Sequence, residues 1–273
     1  MQLNASSPES PFTTYEQYFV PAMFQPWAAA LLRRAGLKPN ERVLDVACGT
    51  GIVSRQAAPL VGEGGRVVGL DMNAAMLSVA RSLARPAGAE IVWQEGNAMS
   101  LPFDAESFDV VLCQHGMQFF PDLARSIREM HRVLAQDGRA VAMVLQGLDR
   151  HPVFKALMES VARHLAIPLS AVMTPFSLSN WETLKTHFIS AGFKEVTHFQ
   201  ETIEARFPEP PRFVPRSVLS SAAAIPAFAA LEPSERAGLI AAVAADLGDV
   251  MAAHLRAGSI AFPMFAHVAV ANK

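Results

Sequence analysis

Val43-Leu44-Asp45-Val46-Ala47-Cys48-Gly49-Thr50-Gly51 is an apolar run that ends in a carboxylate and then passes into small residues. It reads as a buried strand feeding a tight turn, where small side chains let the backbone approach a ligand. Twenty residues on, a second apolar run, Val67-Val68-Gly69-Leu70, ends in Asp71, and Ile52, Val53, Ala57 and Leu60 between the two runs recur at helical spacing. The unit is strand, helix, strand, acid. Such units bind nucleotides at the carboxyl ends of parallel strands, where an acid can grip a ribose.

Two cofactor classes compete for this pattern. A dinucleotide site asks for G-x-G-x-x-G, yet Ser54 stands three positions after Gly51 and an acid precedes the small residues. The stretch instead resembles motif I of the class I S-adenosylmethionine (SAM) dependent methyltransferases, two hydrophobic residues followed by D/E-x-G-x-G-x-G. Ala47 stands in place of the first glycine, which adds a methyl beside the methionine portion of the cofactor. The D-x-A-C-G-T-G form is similar to that of the ubiquinone and menaquinone C-methyltransferase branch. The resemblance implies SAM as cofactor, held by Asp45, Ala47, Cys48, Gly49 and Gly51, with Asp45 toward the amino group, Asp71 on the ribose hydroxyls and Met72 against adenine.

Later segments extend the resemblance. Ile91-Val92-Trp93 reads as a third strand, and Gly96-Asn97-Ala98 follows where the family places an acid or amide that recognises adenine. Asn97 offers a neutral carbonyl where most relatives carry Asp. Leu101-Pro102-Phe103 and Ser107-Phe108-Asp109-Val110-Val111 then lead into a fourth buried strand ending at Gln114. Residues just past that strand line the methyl-transfer site in the family, which puts Gln114 on the cofactor and His115, Gln118 and Phe119 on the acceptor. A general base is required only if the acceptor loses a proton, and His115 and His254 are the candidates, His267 being a packed strand residue. No serine or cysteine triad and no metal-ligand spacing is present or needed, because the leaving group is already a sulfonium.

At 273 residues, the chain can bury one full domain carrying a large insertion. A net charge of −2 with no long basic run argues against a nucleic-acid partner. Cys48 and Cys113 are too few and too badly placed for a disulfide framework. No apolar run approaches a membrane span, Pro226 interrupting Ala222 to Leu231, and no leader pattern opens the chain, so the expected compartment is the cytoplasm. Apolar content of 51% and mean hydropathy of +0.22 call for an apolar pocket, a lid or a dimer face. A small-molecule acceptor and a monomer or homodimer are expected.

The remaining segments complete an α/β architecture, a Rossmann-like, mostly parallel sheet of seven strands whose last strand is antiparallel, with a helical lid inserted. Met1 to Phe12 reads as a loose tail, and Thr13-Thr14-Tyr15-Glu16 has capping-box spacing ahead of an amphipathic segment through Leu32. The resemblance makes that segment a cap over the pocket and Tyr15, Tyr18 and Phe24 candidates for its wall. Leu123 to Leu134 reads as a helix, Asp137-Gly138 as a turn and Arg139 to Gln146 as the fifth strand. A second capping box, Ser179-Asn180-Trp181-Glu182, opens a helix; Phe193 to Phe207 and Gly258 to Ala271 read as the sixth and seventh strands. The expected division is a helical cap over 1–38, a cofactor core over 39–207 and 258–273, and a lid over 208–257, with helices around Ser217 to Leu231 and Pro233 to Leu255. The implied reaction is methyl transfer to a small, largely apolar metabolite. A SAM-binding protein without transferase activity and a nicotinamide-dependent enzyme are the alternatives.

Overall fold

The computed structural model describes residues 10–221 and 225–273; most of the expected tail, residues 1–9, lies outside the described residues. In chain order the elements are α1 (Pro11–Thr14), a widely wound π-helical stretch (Tyr15–Phe24), α2 (Gln25–Ala35), β1 (Arg42–Val46), α3 (Ile52–Val61), β2 (Arg66–Asp71), α4 (Ala74–Ser82), β3 (Glu90–Glu95) and β4 (Phe108–Gln114). They continue with α5 (Leu123–Val133), β5 (Leu134–Leu145), α6 (Pro152–His164), α7 (Trp181–Ser190) and β6 (Glu195–Pro208). The insertion holds α8 (Pro210–Ser221), α9 (Pro226–Ala229), α10 (Pro233–Asp246), α11 (Gly248–Ala253) and a two-residue β7 (Leu255–Arg256), and β8 (Ser259–Asn272) closes the chain.

The sheet order is β3-β2-β1-β4-β5-β8-β6, with β7 pairing β8. β1 to β5 run parallel, and β8 lies antiparallel between β5 and β6. The expected seven strands are all present, and β7 is an addition at the base of β8. Alternate residues feed two cores: Val43, Val67, Val110 and Val141 on one face, and Leu44, Val68, Val111 and Ala142 on the other. Burial on both faces explains why these strands read as unbroken apolar runs. Because the strand order reverses between β1 and β4, their connections leave toward opposite sides and open a crevice at their carboxyl ends.

Several local readings change. Thr14 is helical and makes no side-chain cap, since Pro11 has already started α1; Glu16 instead pairs with Arg55 of α3 at 2.7 Å. The cap of α7 is Asn180, whose Oδ1 accepts from Thr183 N–H at 3.0 Å; Ser179 gives its carbonyl to His267 Nε2. β5 begins at Leu134 and runs through Asp137-Gly138, where the register against β4 shifts and Asp137 takes φ +61°. That pair is a bulge within the strand, a conformation that mimics a turn locally. Among the described residues the two helical stretches expected in the insertion are four helices: α8 starts at Pro210, a residue that needs no partner for its missing N–H, and the second stretch divides at Leu247 into α10 and α11.

Candidate active site

A cavity of about 780 Å³ opens at the carboxyl ends of β1, β2 and β4. Its walls include Asp45, Ala47, Cys48, Gly49, Asp71, Met72, Gly96, Asn97, Ala98 and Gln114, together with Tyr15, Phe24, His115, Gln118 and Phe119. The structure thus brings together fifteen of the residues singled out from the sequence. Tyr18, Gly51 and His254 are not among its walls.

The motif turn is pinned from three sides. Asp71, at the end of β2, accepts from Gly49 N–H at 2.8 Å and from Asn73 N–H at 2.8 Å. Asp45 accepts from both the backbone N–H and the hydroxyl of Ser54, at 3.0 and 2.7 Å. Arg55 donates to the carbonyl of Thr50 and holds Glu16, which ties the N-terminal segment to the turn. Ala47 adopts φ +57°, and a Cβ at Gly116 would lie 2.6 Å from its methyl. The absent motif glycine is matched by a glycine across the crevice, which keeps the space between β1 and β4 open at this point.

Electrostatically this end of the cavity is built for a cation. Burial pushes the Asp45 carboxyl up to about 7 despite the two Ser54 bonds, and Asp71 adds to the rise. Burial also raises Asp71, against its backbone N–H donors. Two carboxylates held out of water, with the Arg55 guanidinium only partly offsetting the rise at Asp45, favour a positively charged ligand. The SAM sulfonium and ammonium groups fit that need, and Gly49, at φ +56° with the Tyr15 hydroxyl 4.0 Å from the place of a Cβ, leaves backbone open to a ligand.

A pH dependence follows from the raised Asp45. Its folded pKa lies above the usual 3.8, so the native state carries the extra proton, and the contribution of Asp45 to stability falls as pH rises from about 4 to about 7. A cation bound beside Asp45 restores the ordinary value and expels the proton. Titration of SAM at pH 7 is expected to release about half a proton from this group and more at pH 6. Calorimetry in two buffers of different ionisation enthalpy measures this, and a binding heat independent of buffer would remove Asp45 from the cation site.

Other walls depart from expectation. Asn97 Oδ1 accepts from Met99 N–H at 2.9 Å, so the carbonyl expected to face adenine is engaged in the turn, leaving the amide N–H₂ as its free donor. Met72 is 75% exposed at the rim. Gln114 Nε2 donates to the carbonyl of Phe24 at 3.1 Å, which leaves its Oε1 buried and unpartnered.

Three expected site residues lie off the cavity wall. Tyr18 donates to the Pro208 carbonyl at 3.2 Å and packs on Phe19 and Phe207, with Arg216 over its ring. Burial pushes its phenol up to about 12. Its neighbour Tyr15 lines the cavity. His254 lies in the last turn of the insertion with Nδ1 on the Val250 carbonyl at 2.8 Å and its ring edge against Phe262. Gly51 faces Trp93 of β3, and a Cβ there would sit 2.1 Å from Trp93 Cη2. It is a glycine for the sake of an indole.

Another part of the cavity wall was not legible in advance. Phe154, Leu157, Met158 and Val161 of α6, with Val172, Phe176, Val218 and Met264, complete its wall. Their spacing along α6 marks an apolar face, but core and pocket faces share one periodicity. Among the described residues, the only charged side chains on the whole cavity wall are Asp45 and Asp71.

Comparison with known proteins agrees with this geometry. Residues 44–142 match the family described as Methyltransferase domain. A 2-phytyl-1,4-naphtoquinone methyltransferase of Synechococcus elongatus is 35% identical over 134 residues, 48% of this chain and 55% of the relative, so the match spans about half the length of each. A demethylmenaquinone methyltransferase of Lactococcus lactis is 38% identical over 186 residues, covering 63% of this chain and 73% of the relative. The YcgJ protein of Bacillus subtilis shares the fold, with a TM-score of 0.56 at 19% identity over 90% of this chain and 97% of that one. The strand-acid units, the antiparallel β8 and these matches together make the chain a member of the class I SAM-dependent methyltransferases.

Proposed function

We propose that this protein transfers a methyl group from SAM to a carbon or oxygen of a neutral, largely apolar, ring-bearing small molecule. The observation that carries this reading is the distribution of charge around one continuous cavity: two carboxylates at the motif turn and no charged side chain elsewhere on the described wall. When bound, SAM supplies a methyl carbon on a positively charged sulfur; the bond to sulfur breaks as the bond to the acceptor forms, and the acceptor sheds one proton.

The residues of the chain then position and desolvate. Asp45 and Asp71 would hold the cofactor by its charge and its ribose, and Met72 would cover adenine. A carboxylate- or phosphate-bearing acceptor would lose its hydration in this cavity without gaining a cationic partner on the described wall, a large penalty. Phe24, Phe119, Phe154 and Phe176 suit a flat ring. The names of the quinone-methylating relatives support an acceptor of that shape. Residues 1–38 are proposed as the cap and 208–257 as the lid, with 39–207 and 258–273 as the core; Ser217, Val218 and Ile225 bring the insertion to the wall.

Incubation with methyl-labelled SAM and a panel of reduced naphthoquinones, phenols and charged metabolites tests the proposal. Label is expected in neutral ring compounds and absent from the charged ones. Transfer confined to carboxylates or phosphates would sink the neutral-acceptor reading, and failure to bind SAM at micromolar concentration would sink the transferase reading itself.

A further inference from the structure

We propose that His198 of β6 and His267 of β8 form a binding site for a divalent transition-metal ion, copper(II) by its geometry, outside the cofactor cavity. The two strands pair antiparallel, with His198 opposite Ala269 and His267 opposite Gln200. The histidines are therefore diagonal neighbours on one face of the sheet, where cross-strand side chains reach one another. His198 Nε2 lies 2.9 Å from His267 Nδ1 across 69 residues of sequence, so no local spacing announces the pair. Neither ring lines the cavity, and the inference stands apart from the methyltransferase reading.

Both nitrogens are prepared for a metal. His267 turns Nε2 toward the carbonyl of Ser179 at 3.1 Å, which makes Nε2 the protonated nitrogen and leaves a lone pair on Nδ1. An N–H held by a backbone carbonyl is the usual support of a metal-bound histidine. His198 is steadied by the Trp181 indole, stacked on it at 4.0 Å between centroids with 10° between the planes. Binding exchanges the ring-to-ring hydrogen bond for two nitrogen–metal bonds, the His198 proton passing from Nε2 to Nδ1 with no net release. Burial lowers both imidazoles, against the Glu182 carboxylate for His198 and the Ser179 carbonyl for His267, so that neutral rings prevail at pH 7.

The separation selects the ion. Two nitrogens each about 2.0 Å from a metal lie about 2.8 Å apart when adjacent in a square-planar shell and about 3.3 Å apart in a tetrahedral one. The observed 2.9 Å matches the square-planar edge. Copper(II) and nickel(II) take that geometry, and copper(II) binds such ligands more tightly. Among the described residues no third histidine, cysteine, aspartate or glutamate completes a metal-binding group with the pair, so water fills the remaining positions and the ion stays exchangeable.

The test titrates copper(II) chloride into the whole chain in a non-coordinating buffer and reads the first equivalent by calorimetry and by electron paramagnetic resonance. One ion is expected to bind with micromolar affinity, its spin coupled to two imidazole nitrogens. His198→Phe, which keeps a ring on Trp181, and His267→Gln should each weaken binding at least tenfold, because the second imidazole no longer acts at a high effective concentration. SAM affinity should stay that of the wild type in both. Coupling to fewer than two imidazoles in the wild type, tight binding that survives either substitution, or no bound ion at sub-millimolar copper would overturn the proposal. The wild-type spectrum decides the matter even where a variant fails to fold.

Discussion

In the Asp71→Ala variant, SAM is expected to bind between tenfold and a hundredfold more weakly than in the wild type. Asp71 would accept from the ribose hydroxyls through lone pairs left over from its two backbone bonds, and a hydrogen bond to a charged group contributes about 1.5 to 3 kcal/mol. That range converts to the stated loss of affinity. The same substitution releases Gly49 N–H and Asn73 N–H, each now 2.8 Å from a carboxylate oxygen, so the motif turn loses its tie to β2 and the loss should fall toward the upper figure. Asp71→Asn keeps one acceptor oxygen and should fall between the two proteins. Calorimetric titration of the three measures this. Affinity indifferent to Asp71 would place the cofactor elsewhere.

Gly51→Ala is expected to destabilise the fold by about 2 to 5 kcal/mol, the sum of a left-handed backbone cost of about 1–2 and an overpacking cost of about 1–3. Gly51 has φ +84°, and its new methyl would meet Trp93 Cη2 at 2.1 Å and Cζ3 at 2.5 Å. Gly69 faces the same indole, with a Cβ position 2.5 Å from Cζ3. The indole therefore lies against two residues that have no side chain. In a Trp93→Ala background the steric share should vanish and only the backbone share of about 1–2 kcal/mol should remain. Urea denaturation of the four proteins closes the cycle, and an equal penalty in both backgrounds would mean that Trp93 is not the obstacle.

Much of the cofactor end was legible because it is local. Asp45, Gly49 and Asp71 sit at strand ends that apolar runs announce, and the carboxyl edge of a parallel sheet brings such ends together whatever the rest of the chain does. Residues whose roles depend on distant partners were not legible. Tyr15 and Tyr18 lie three residues apart on the same segment, yet one lines the cavity and the other holds Pro208. Glu16 looked like half of a capping box until Arg55 claimed it.

What the sequence by itself determined is the alternation of buried strands and helices, the acids that close β1 and β2, and the membership of a cofactor-binding family, since each is written in spacing over a few residues. The tertiary structure alone decided which apolar faces became pocket, that His254 turns to Phe262, that Gly51 serves Trp93, and that both ring nitrogens of His115 are buried without a hydrogen-bond partner. The physical reason is common to all four: burial and pairing are set by contacts between segments far apart in the chain, and periodicity records only that a face is apolar, not what it will meet.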